Sequence, residues 1–352
     1  MYFTTMYLRR STALKYLLAV PLTVVFYCEW FVYIIQPLFW QKLECKEESK
    51  CVKILFIADP QIQGELAVSP PLSLLYNWDS DRYLRSTFSV VLWHFKPNVL
   101  VYLGDLTDEG SVATMEQFQG YVKRLLNVFD VYYPVVQIWL PGDNDIGGES
   151  EPVQEDKVTE FSNIFNQPSV LSFRNMITFY KVNSVMYKVP PAPDVPDLNV
   201  KVAVSHYPIY SKGVYGRQVD AAVHADIYFC AHEHSSKYVK QKRNSEFKEI
   251  HLLQYNDPVL DVMLDDEWLY EVLVPTCSYR MGTGDVGYGA AVVENQQLQY
   301  TVFWSPRRFP HLFAYLYILP VILIFTCGFC CVRNILFRRI LRNRDVPLLN
   351  RI

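Results

Sequence analysis

Residues 54–61, ILFIADPQ, decide the fold, because an apolar run ends there abruptly in Asp59, Pro60 and Gln61. A short apolar, β-branched run that stops at polar residues predicts a buried β-strand followed by a turn. The pattern returns after four more apolar runs, at Gly104-Asp105, Gly142-Asp143-Asn144-Asp145, Ser205-His206 and Ala231-His232-Glu233-His234. Because the carboxyl ends of parallel strands meet at one edge of a sheet, the five clusters predict a single site.

The side chains in these clusters are those that divalent metal ions bind. Carboxylate oxygens and neutral imidazoles suit such ions, and one carboxylate can bridge two of them. The sequence supplies Asp59, Asp105, Asp143, His206, His232 and His234. We therefore expect two divalent metal ions at the strand ends.

Two other motifs explain the chemistry less well. No serine lies in a G-x-S-x-G elbow, so Ser205-His206 is a poor candidate for a nucleophile triad. Gly282-x-Gly284-x-x-Gly287 matches the dinucleotide-binding fingerprint, but the sequence after it predicts a strand rather than a helix. We interpret this segment as a turn-rich loop.

Between residues 51 and 306, strand and helix patterns alternate as in a layered α/β protein. A loop is expected over 64–78, and Asp79 or Ser80 should cap a helix that ends near residue 95. Later β segments are expected at 177–183, 184–189, 248–255, 268–276 and 289–304. These elements predict two facing mixed sheets flanked by helices.

Two long apolar segments flank this region, at residues 16–39 and 312–332. Each meets the length of about 20 apolar residues that a transmembrane helix needs, although Glu29 and Gln36 interrupt the first. A cleaved signal peptide is the alternative for the first segment, but its apolar run is too long and lacks a small-x-small cleavage site. Basic residues lie outside both segments, which predicts cytosolic ends at 1–15 and 333–352 and a luminal domain at 40–310.

Charge and cysteines add further constraints. The formal net charge is −3 although both ends are basic, so the central region is acidic. An acidic domain argues against a nucleic-acid partner. Cys45 and Cys51 lie just beyond the first apolar segment, where a disulfide could form in an oxidising compartment.

Taken in order, the clusters resemble the calcineurin-like metallophosphoesterase superfamily from residue 53 to about residue 306. The resemblance implies an αββα two-sheet sandwich, here between two transmembrane helices, with a two-metal site that hydrolyses phosphate esters. It implies that Asp105 bridges both ions, and that Asn144 and Asp145 lie in the catalytic motif. It assigns one ion to Asp59, Gln61, Asp105 and His234 and the other to Asp105, Asp143, His206 and His232.

Three features resemble one branch more narrowly: the flanking spans, the G-D-x-x-D-E-G form at 104–110 and Asp145-Ile146-Gly147. This branch consists of membrane phosphoesterases that remodel GPI anchors in the early secretory pathway and use manganese. The resemblance implies a multi-pass membrane protein of the endoplasmic reticulum or Golgi. Its substrate would be a phosphorylated glycolipid or a GPI-anchored protein.

Departures from the family pattern leave two functions open. Gln61 stands in place of a histidine, and its amide oxygen is a harder, weaker ligand that favours Mn or Mg over Zn. Asp143 stands in place of an asparagine ligand and adds a negative charge. Asn144 stands in place of the histidine that protonates the leaving group, and loss of a general acid typically costs about 10²–10⁴-fold in rate. The sequence is therefore consistent with a membrane-anchored phosphodiesterase for a GPI-like glycolipid. It is also consistent with an impaired metal- or glycan-binding member that acts in sorting.

Overall fold

The computed structural model describes residues 10–66, 68–191, 199–210, 213–243, 245 and 247–344. They divide into two units, one formed by the described parts of Met1–Val32 and Arg308–Ile352, and the other by Tyr33–Arg307. Residues 1–9 of the predicted N-terminal cytosolic segment and 345–352 of the predicted basic tail lie outside the described residues.

The first unit contains two apolar helices. They are α1 (Arg10–Phe26), which continues into a π-helical turn at Tyr27–Phe31, and a long C-terminal helix, Arg308–Arg344. Two stretches, Leu18–Phe39 and Arg308–Gly328, are long and apolar enough to cross a membrane, by length and composition.

Glu29, which interrupts the first apolar segment, has polar partners within this unit. Arg308 Nη1 donates to Glu29 Oε1 at 3.0 Å, and the hydroxyl of Tyr315 donates to the same oxygen. A carboxylate paired with a guanidinium and a hydroxyl is far less costly in apolar surroundings than an isolated one. Glu29 is therefore compatible with an apolar segment.

The second unit contains the strands and the remaining helices. Its helices are α2 (Val32–Ile35, which begins at the boundary), α3 (Leu72–Phe95), α4 (Met115–Val128), α5 (Asp143–Ile146), α6 (Glu155–Ile164) and α7 (Val214–Val223); the long C-terminal helix is α8. Its first seven strands are β1 (Cys51–Ile57), β2 (Val99–Tyr102), β3 (Val136–Trp139), β4 (Val170–Phe173), β5 (Ile177–Val182), β6 (Val200–Ser205) and β7 (Ile227–Cys230). The last six are β8 (Lys237–Lys242), β9 (Lys248–Leu252), β10 (Leu260–Met263), β11 (Trp268–Leu273), β12 (Gly287–Glu294) and β13 (Gln297–Trp304).

These strands form two mixed sheets, with orders β10-β13-β12-β1-β2-β3 and β4-β5-β6-β7-β11-β8-β9. In the first sheet β1, β2 and β3 run parallel, and in the second β5, β6, β7 and β11 do. The five strand ends at which the sequence places the polar clusters thus belong to parallel strands, three in the first sheet and two in the second. The prediction of a two-sheet mixed α/β fold is confirmed.

The main core lies between the two sheets. Alternate residues of β1 pack in it, and the ring of Phe56 stacks on Phe229 of β7 with centroids 4.0 Å apart. The intervening Leu55 and Ile57 are fully buried as well. A strand covered on both faces reads as a continuous apolar run, which explains residues 54–58.

Helix α3 differs from the prediction. It begins at Leu72, directly after Pro71, whereas we expected a loop through Trp78 and a cap at Asp79 or Ser80. The carboxylate of Asp79 accepts a hydrogen bond from the hydroxyl of Tyr279 at 2.8 Å, so it is used in a tertiary contact rather than in a cap. The prediction of the helix start from a capping residue type was therefore wrong.

Some β segments were also wrong in detail. The segment expected at 289–304 is a hairpin, β12 and β13, which turns at Asn295 with φ 56°. Residues 184–187 form a turn closed by a bridge between Asn183 and Lys188 rather than a strand. Gly282 lies in a turn before β12, which agrees with our interpretation of the glycine-rich segment as a loop. Cys45 and Cys51 form a disulfide at the start of β1.

Candidate metal centre

All seven residues expected to bind metal come together at one edge of the sandwich. Each follows the carboxyl end of a parallel strand: β1, β2 and β3 in one sheet, and β6 and β7 in the other. The residues are Asp59, Gln61, Asp105, Asp143, His206, His232 and His234.

One set of four side chains, which we call the first subsite, consists of Asp105, Asp143, His206 and His232. One ligand atom from each lies within 4.8 Å of all the others. His206 Nε2 is 3.0 Å from Asp143 Oδ1 and 3.4 Å from Asp105 Oδ1. His232 Nδ1 is 3.3 Å from the same Asp143 oxygen. This set converges on a point that a single cation could occupy.

The second subsite consists of Asp59, Asp105 and His234, whose ligand atoms also lie within 4.8 Å of one another. Gln61 adjoins it, with Nε2 at 3.2 Å from Asp105 Oδ2 and 3.4 Å from His234 Nε2. That atom is an amide nitrogen, which does not bind cations, so Gln61 would offer its oxygen only after its amide rotates. Asp105 belongs to both subsites.

The backbone is in the left-handed region at five of these positions. Non-glycine residues adopt this conformation rarely, at a cost of order 1–3 kcal/mol each, and such residues cluster at functional sites. The φ values are 47° at Asp59, 45° at Gln61, 49° at Asp105, 70° at His232 and 53° at His234. The strand ends are therefore shaped to aim side chains at this edge.

Two glycines make room for ligand side chains of the first subsite, Gly142 for Asp105 and Gly104 for His206. A Cβ at Gly142 would lie 2.1 Å from Asp105 Oδ1, and one at Gly104 would lie 2.7 Å from His206 Nδ1. Gly104 also has a φ of 97°. Larger residues at either position would displace the ligand atoms.

The electrostatics of the site favour a cation. Asp59, Asp105 and Asp143 are all buried, and in the described part of the chain their ion-pair partners are histidines. Oδ2 of Asp59 is buried without a hydrogen-bond partner among the described residues. Burial raises the pKa of Asp59 well above its usual range and, helped by the charge of Asp143, raises the pKa of Asp105 to about 7. A carboxylate-rich, buried donor set of this kind fits divalent metal ions.

The histidines respond to the same charges. Burial alone would lower the pKa of His206, but Asp105, Asp143 and Asp59 outweigh it and raise that pKa to about 10. Burial also opposes ionisation of Asp143, yet hydrogen bonds from His206 and His232 lower its pKa overall. Burial and the neighbouring imidazoles lower the pKa of His234. Without metal, the negative charge of the buried carboxylates is therefore offset by bound protons and by the neighbouring imidazoles.

Asn144 and Asp145 have different positions. Asn144 donates from its backbone N to Asp105 Oδ1 and from Nδ2 to Asp105 Oδ2, both at 3.0 Å. Asp145 is 1% exposed, and its two oxygens accept hydrogen bonds from Gly142 N, Leu106 N, Thr107 N and Thr107 Oγ1 at 2.8–3.0 Å. Both oxygens of Asp145 are thus used to tie the Asp143 loop to the Asp105 loop. These contacts suit Asp145 to a positioning role, and its place in the catalytic motif stays a prediction.

Two further residues at the site carried no sequence signal that we recognised. Arg280 Nη2 donates to the backbone oxygen of Gln61 at 2.9 Å and to Asp108 Oδ2 at 3.1 Å. Glu149 Oε1 lies 3.7 Å from His232 Nε2. Both belong to loops, and Arg280 reaches the site only through tertiary packing, which no spacing in the sequence reports.

The position of His224 argues against a role as proton donor at the metal centre. It follows α7 and precedes β7, whereas His232 and His234 come after β7. The two ends of one strand lie at opposite edges of the sheet. His224 is therefore at the edge away from the metal centre.

Comparison with known proteins identifies the family. The model of the calcineurin-like phosphoesterase family matches residues 52–236, which is more than half of the chain and includes every candidate ligand. The chain belongs to the calcineurin-like phosphoesterase family. The expectation of a hydrolase domain of the phosphoesterase class is thereby confirmed.

Individual relatives agree with this assignment. The chain is 29% identical to Metallophosphoesterase 1 of Pongo abelii over 187 residues, covering 50% of this chain and 45% of the relative. It is 28% identical to Metallophosphoesterase 1 of Danio rerio over 167 residues, covering 46% and 42%. The match thus spans less than half the length of these relatives. A crystal structure of a metallophosphoesterase from Sphaerobacter thermophilus aligns with 71% of this chain and 87% of its own, at 15% identity and a TM-score of 0.36.

Proposed function

We propose that this calcineurin-like phosphoesterase is metal-dependent and holds two divalent ions bridged by Asp105. The observation that carries the proposal is the pair of ligand sets that share this one carboxylate. When bound, two such ions supply Lewis-acid activation and charge neutralisation for a displacement at phosphorus. Every other contribution comes from side chains of this chain.

The chain's own residues position and polarise the reacting groups. Leu103 O lies 2.9 Å from His206 Nδ1, a contact that orients the ring and leaves Nε2 toward Asp105 and Asp143. Asp145 fixes the loop that carries Asp143 and Asn144. Asn144 Nδ2 lies beside the shared carboxylate, where it can donate a hydrogen bond to a phosphate oxygen but cannot protonate a leaving alkoxide. We therefore expect slow turnover of esters with poor leaving groups.

We propose manganese as the ion. An amide oxygen from Gln61 would be a harder ligand than the imidazole that family members usually have there, and hard ligands favour Mn and Mg over Zn. The carboxylates Asp59, Asp105 and Asp143 point the same way.

We further propose a membrane-anchored enzyme of the early secretory pathway that hydrolyses a phosphodiester on a GPI-like glycolipid. Two helices long enough to cross a membrane support the anchoring, as does the pairing of Glu29 with Arg308. The disulfide between Cys45 and Cys51 is typical of an oxidising compartment, which supports a luminal domain over about 40–310 and cytosolic ends. The resemblance in sequence to the GPI-remodelling branch supports the substrate class.

The second candidate is a member that binds metal or a phosphorylated glycan without turnover and acts in sorting. The observation that favours it is Asn144, which stands where family members have a proton donor. It shares the metal centre with the first candidate, so metal binding alone does not separate the two.

Elemental analysis and hydrolysis together test both candidates. The full-length chain, purified in detergent, should contain two divalent ions and hydrolyse bis-nitrophenyl phosphate, whose good leaving groups need no protonation. A chelator should abolish hydrolysis, and Mn²⁺ should restore it. Two bound ions without hydrolysis would favour the sorting factor, and at most one bound ion would contradict the two-metal centre.

A further inference from the structure

At the start of α3, large apolar side chains are exposed and polar side chains are buried. Leu72, Leu74, Leu75, Tyr76 and Trp78 are each 48–62% exposed, and we call these five side chains the 72–78 patch. Polar residues of the same turns are buried instead: Ser73, Asn77, Asp79 and Ser80. Contiguous exposed apolar surface of this kind marks an interaction site in soluble domains.

The patch lies on the side of the second unit where the chain enters and leaves it. Near the entry, the ring of Tyr33 lies 6.3 Å from that of Tyr83 on α3, and near the exit, Tyr83 donates its hydroxyl to Pro306 O at 2.8 Å. From Tyr33 the chain then follows α3 toward its C-terminal end, where Trp40 contacts His94 at 5.2 Å between ring centroids. Followed backwards from Trp40 to Tyr33, the chain therefore runs toward the N-terminal end of α3.

The distances along the helix are short. Helical rise is about 1.5 Å per residue, so Trp78 lies about 7 Å and Leu72 about 16 Å beyond Tyr83 along the helix axis. The chain outside this unit is apolar at both points, because residues 18–32 of the first candidate span and the second candidate span, Arg308–Gly328, adjoin them. The patch thus lies on the part of α3 that is near both points at which an apolar candidate span joins the second unit.

The same helix is connected to the metal centre through two consecutive residues. The Tyr279 hydroxyl donates to Asp79, one residue after the patch, at 2.8 Å. Its neighbour Arg280 donates to the backbone oxygen of Gln61 at 2.9 Å. The helix that carries the patch is therefore linked to the second subsite through these two residues.

We propose that the 72–78 patch contacts the lipid surface and holds the metal centre at the lipid–water interface, where it acts on phosphodiesters carried by membrane lipids. This inference rests on the membrane anchoring proposed above. Tyr and Trp are the aromatic residues favoured at this interface, and leucines can enter the acyl boundary beside them. Arg82, whose guanidinium lies 5.5 Å over the ring of Trp78, places a positive charge next to the lipid phosphates.

Fluorescence quenching tests the contact directly. The full-length chain is reconstituted in phosphatidylcholine vesicles with or without brominated acyl chains, as wild type, Trp78→Phe and Trp93→Phe. Trp93 is the matched control because it is 67% exposed near the other end of the same helix. Trp78→Phe should remove a quenched component of the emission, and Trp93→Phe should remove an unquenched one. Equal quenching of the two components would overturn the proposal, as would shielding of Trp78 that depends on protein concentration and not on lipid, which would indicate a second copy of the chain.

Hydrolysis of a matched pair of substrates tests the consequence. Hexadecyl nitrophenyl phosphate in phosphatidylcholine vesicles and ethyl nitrophenyl phosphate in solution share a leaving group and differ in the lipid chain. Leu75→Ser with Trp78→Ser should lower the rate on the vesicle substrate by about tenfold, because interfacial binding scales with buried apolar area. The rate on the soluble substrate should not change.

The control is Phe247→Ser with Ile250→Ser, which removes two exposed apolar side chains, 71% and 63% exposed, at strand β9. It should leave both rates unchanged. An unchanged vesicle rate in the patch variant would overturn the proposal. Absence of hydrolysis of both substrates by wild type would count against the proposed function, and the quenching experiment would still decide the role of the patch.

Discussion

The two halves of the metal centre differ in ligand strength, although they share Asp105. The first subsite has two carboxylates and two imidazoles, and both Asp143 and His206 are buried. The second has Asp59, the shared carboxylate and His234, with an amide at Gln61 in fourth place. Since amide oxygens bind divalent ions more weakly than imidazoles bind the later transition metals, the first subsite should hold its ion more tightly.

Their supporting contacts differ in the same way. In the first subsite, Leu103 O orients His206, and Glu149 lies 3.7 Å from the outer nitrogen of His232. Such outer partners raise ligand basicity and fix the ring. In the second subsite, Arg280 holds Gln61 only through its backbone oxygen, and Asp59 Oδ2 has no hydrogen-bond partner among the described residues. We therefore call the first subsite the strong half of the metal centre, because its ligands should hold the ion more tightly. We call the second subsite the adjustable half, because fewer contacts fix its ligands.

The largest effect should come from the residue that joins the halves. Asp105→Asn removes the shared negative charge, so we expect loss of most of both ions and a fall in hydrolysis of more than about 10³-fold. Elemental analysis and bis-nitrophenyl phosphate hydrolysis on the detergent-purified chain measure both quantities.

Asp108→Asn is the matched control, since Asp108 lies three positions later and accepts a hydrogen bond from Arg280 instead of belonging to either subsite. It should keep both ions. If Asp105→Asn retained two ions and full activity, the two halves would not share a ligand, and the comparison itself would be wrong.

A smaller, selective effect is expected at Asn144, which donates to both oxygens of Asp105. Asn144→His places a titratable group beside the shared carboxylate. It should raise hydrolysis of a dialkyl phosphate by up to about 10²-fold and leave bis-nitrophenyl phosphate unaffected, because only the poor leaving group needs a proton. The ratio of the two rates is the measurement.

Asn144→Gln serves as the control, because it keeps an amide and adds no proton donor. It should not change the ratio of the two rates. A rise on both substrates alike in Asn144→His would indicate better metal binding rather than general-acid catalysis, and no change on either would show that another group protonates the leaving oxygen.

The convergence of the candidate ligands of both halves on one edge of the sandwich could be predicted from the sequence. Apolar runs that end in Asp or His place a ligand at a strand end, and the structure brings together all those named, from Asp59 to His234. Local patterns could do this because a parallel sheet converts the order of strand ends into proximity. The family resemblance, rather than this pattern, placed Asp145 in the catalytic motif. Its hydrogen bonds to Leu106 and Thr107 join two different loops, so local patterns could not predict them.

Contacts between distant segments set the remaining features. In the third turn of α3, the carboxylate of Asp79 accepts a hydrogen bond from Tyr279, two hundred positions later. Arg280, in the loop between β11 and β12, donates to the backbone oxygen of Gln61. Capping and turn residues signal local structure only, so neither contact has a signature in the sequence.

The smallest expected effect lies in the adjustable half. Gln61→His replaces the amide by an imidazole 3.2 Å from the shared carboxylate of Asp105 and beside His234. An imidazole binds Zn and other later transition metals better than an amide does, so the second ion should bind about tenfold more tightly and the preference should move from Mn toward Zn. Titration of the metal-free chain with Mn²⁺ and with Zn²⁺, followed by calorimetry, separates the two binding events.

The tighter first event should be unchanged, because its ligands Asp143, His206 and His232 are untouched. Gln61→Asn, a shorter amide, is the control and should weaken only the second event. If Gln61→His left both events unaltered, Gln61 would be a space-filling residue, and the second subsite would consist of Asp59, Asp105 and His234 alone.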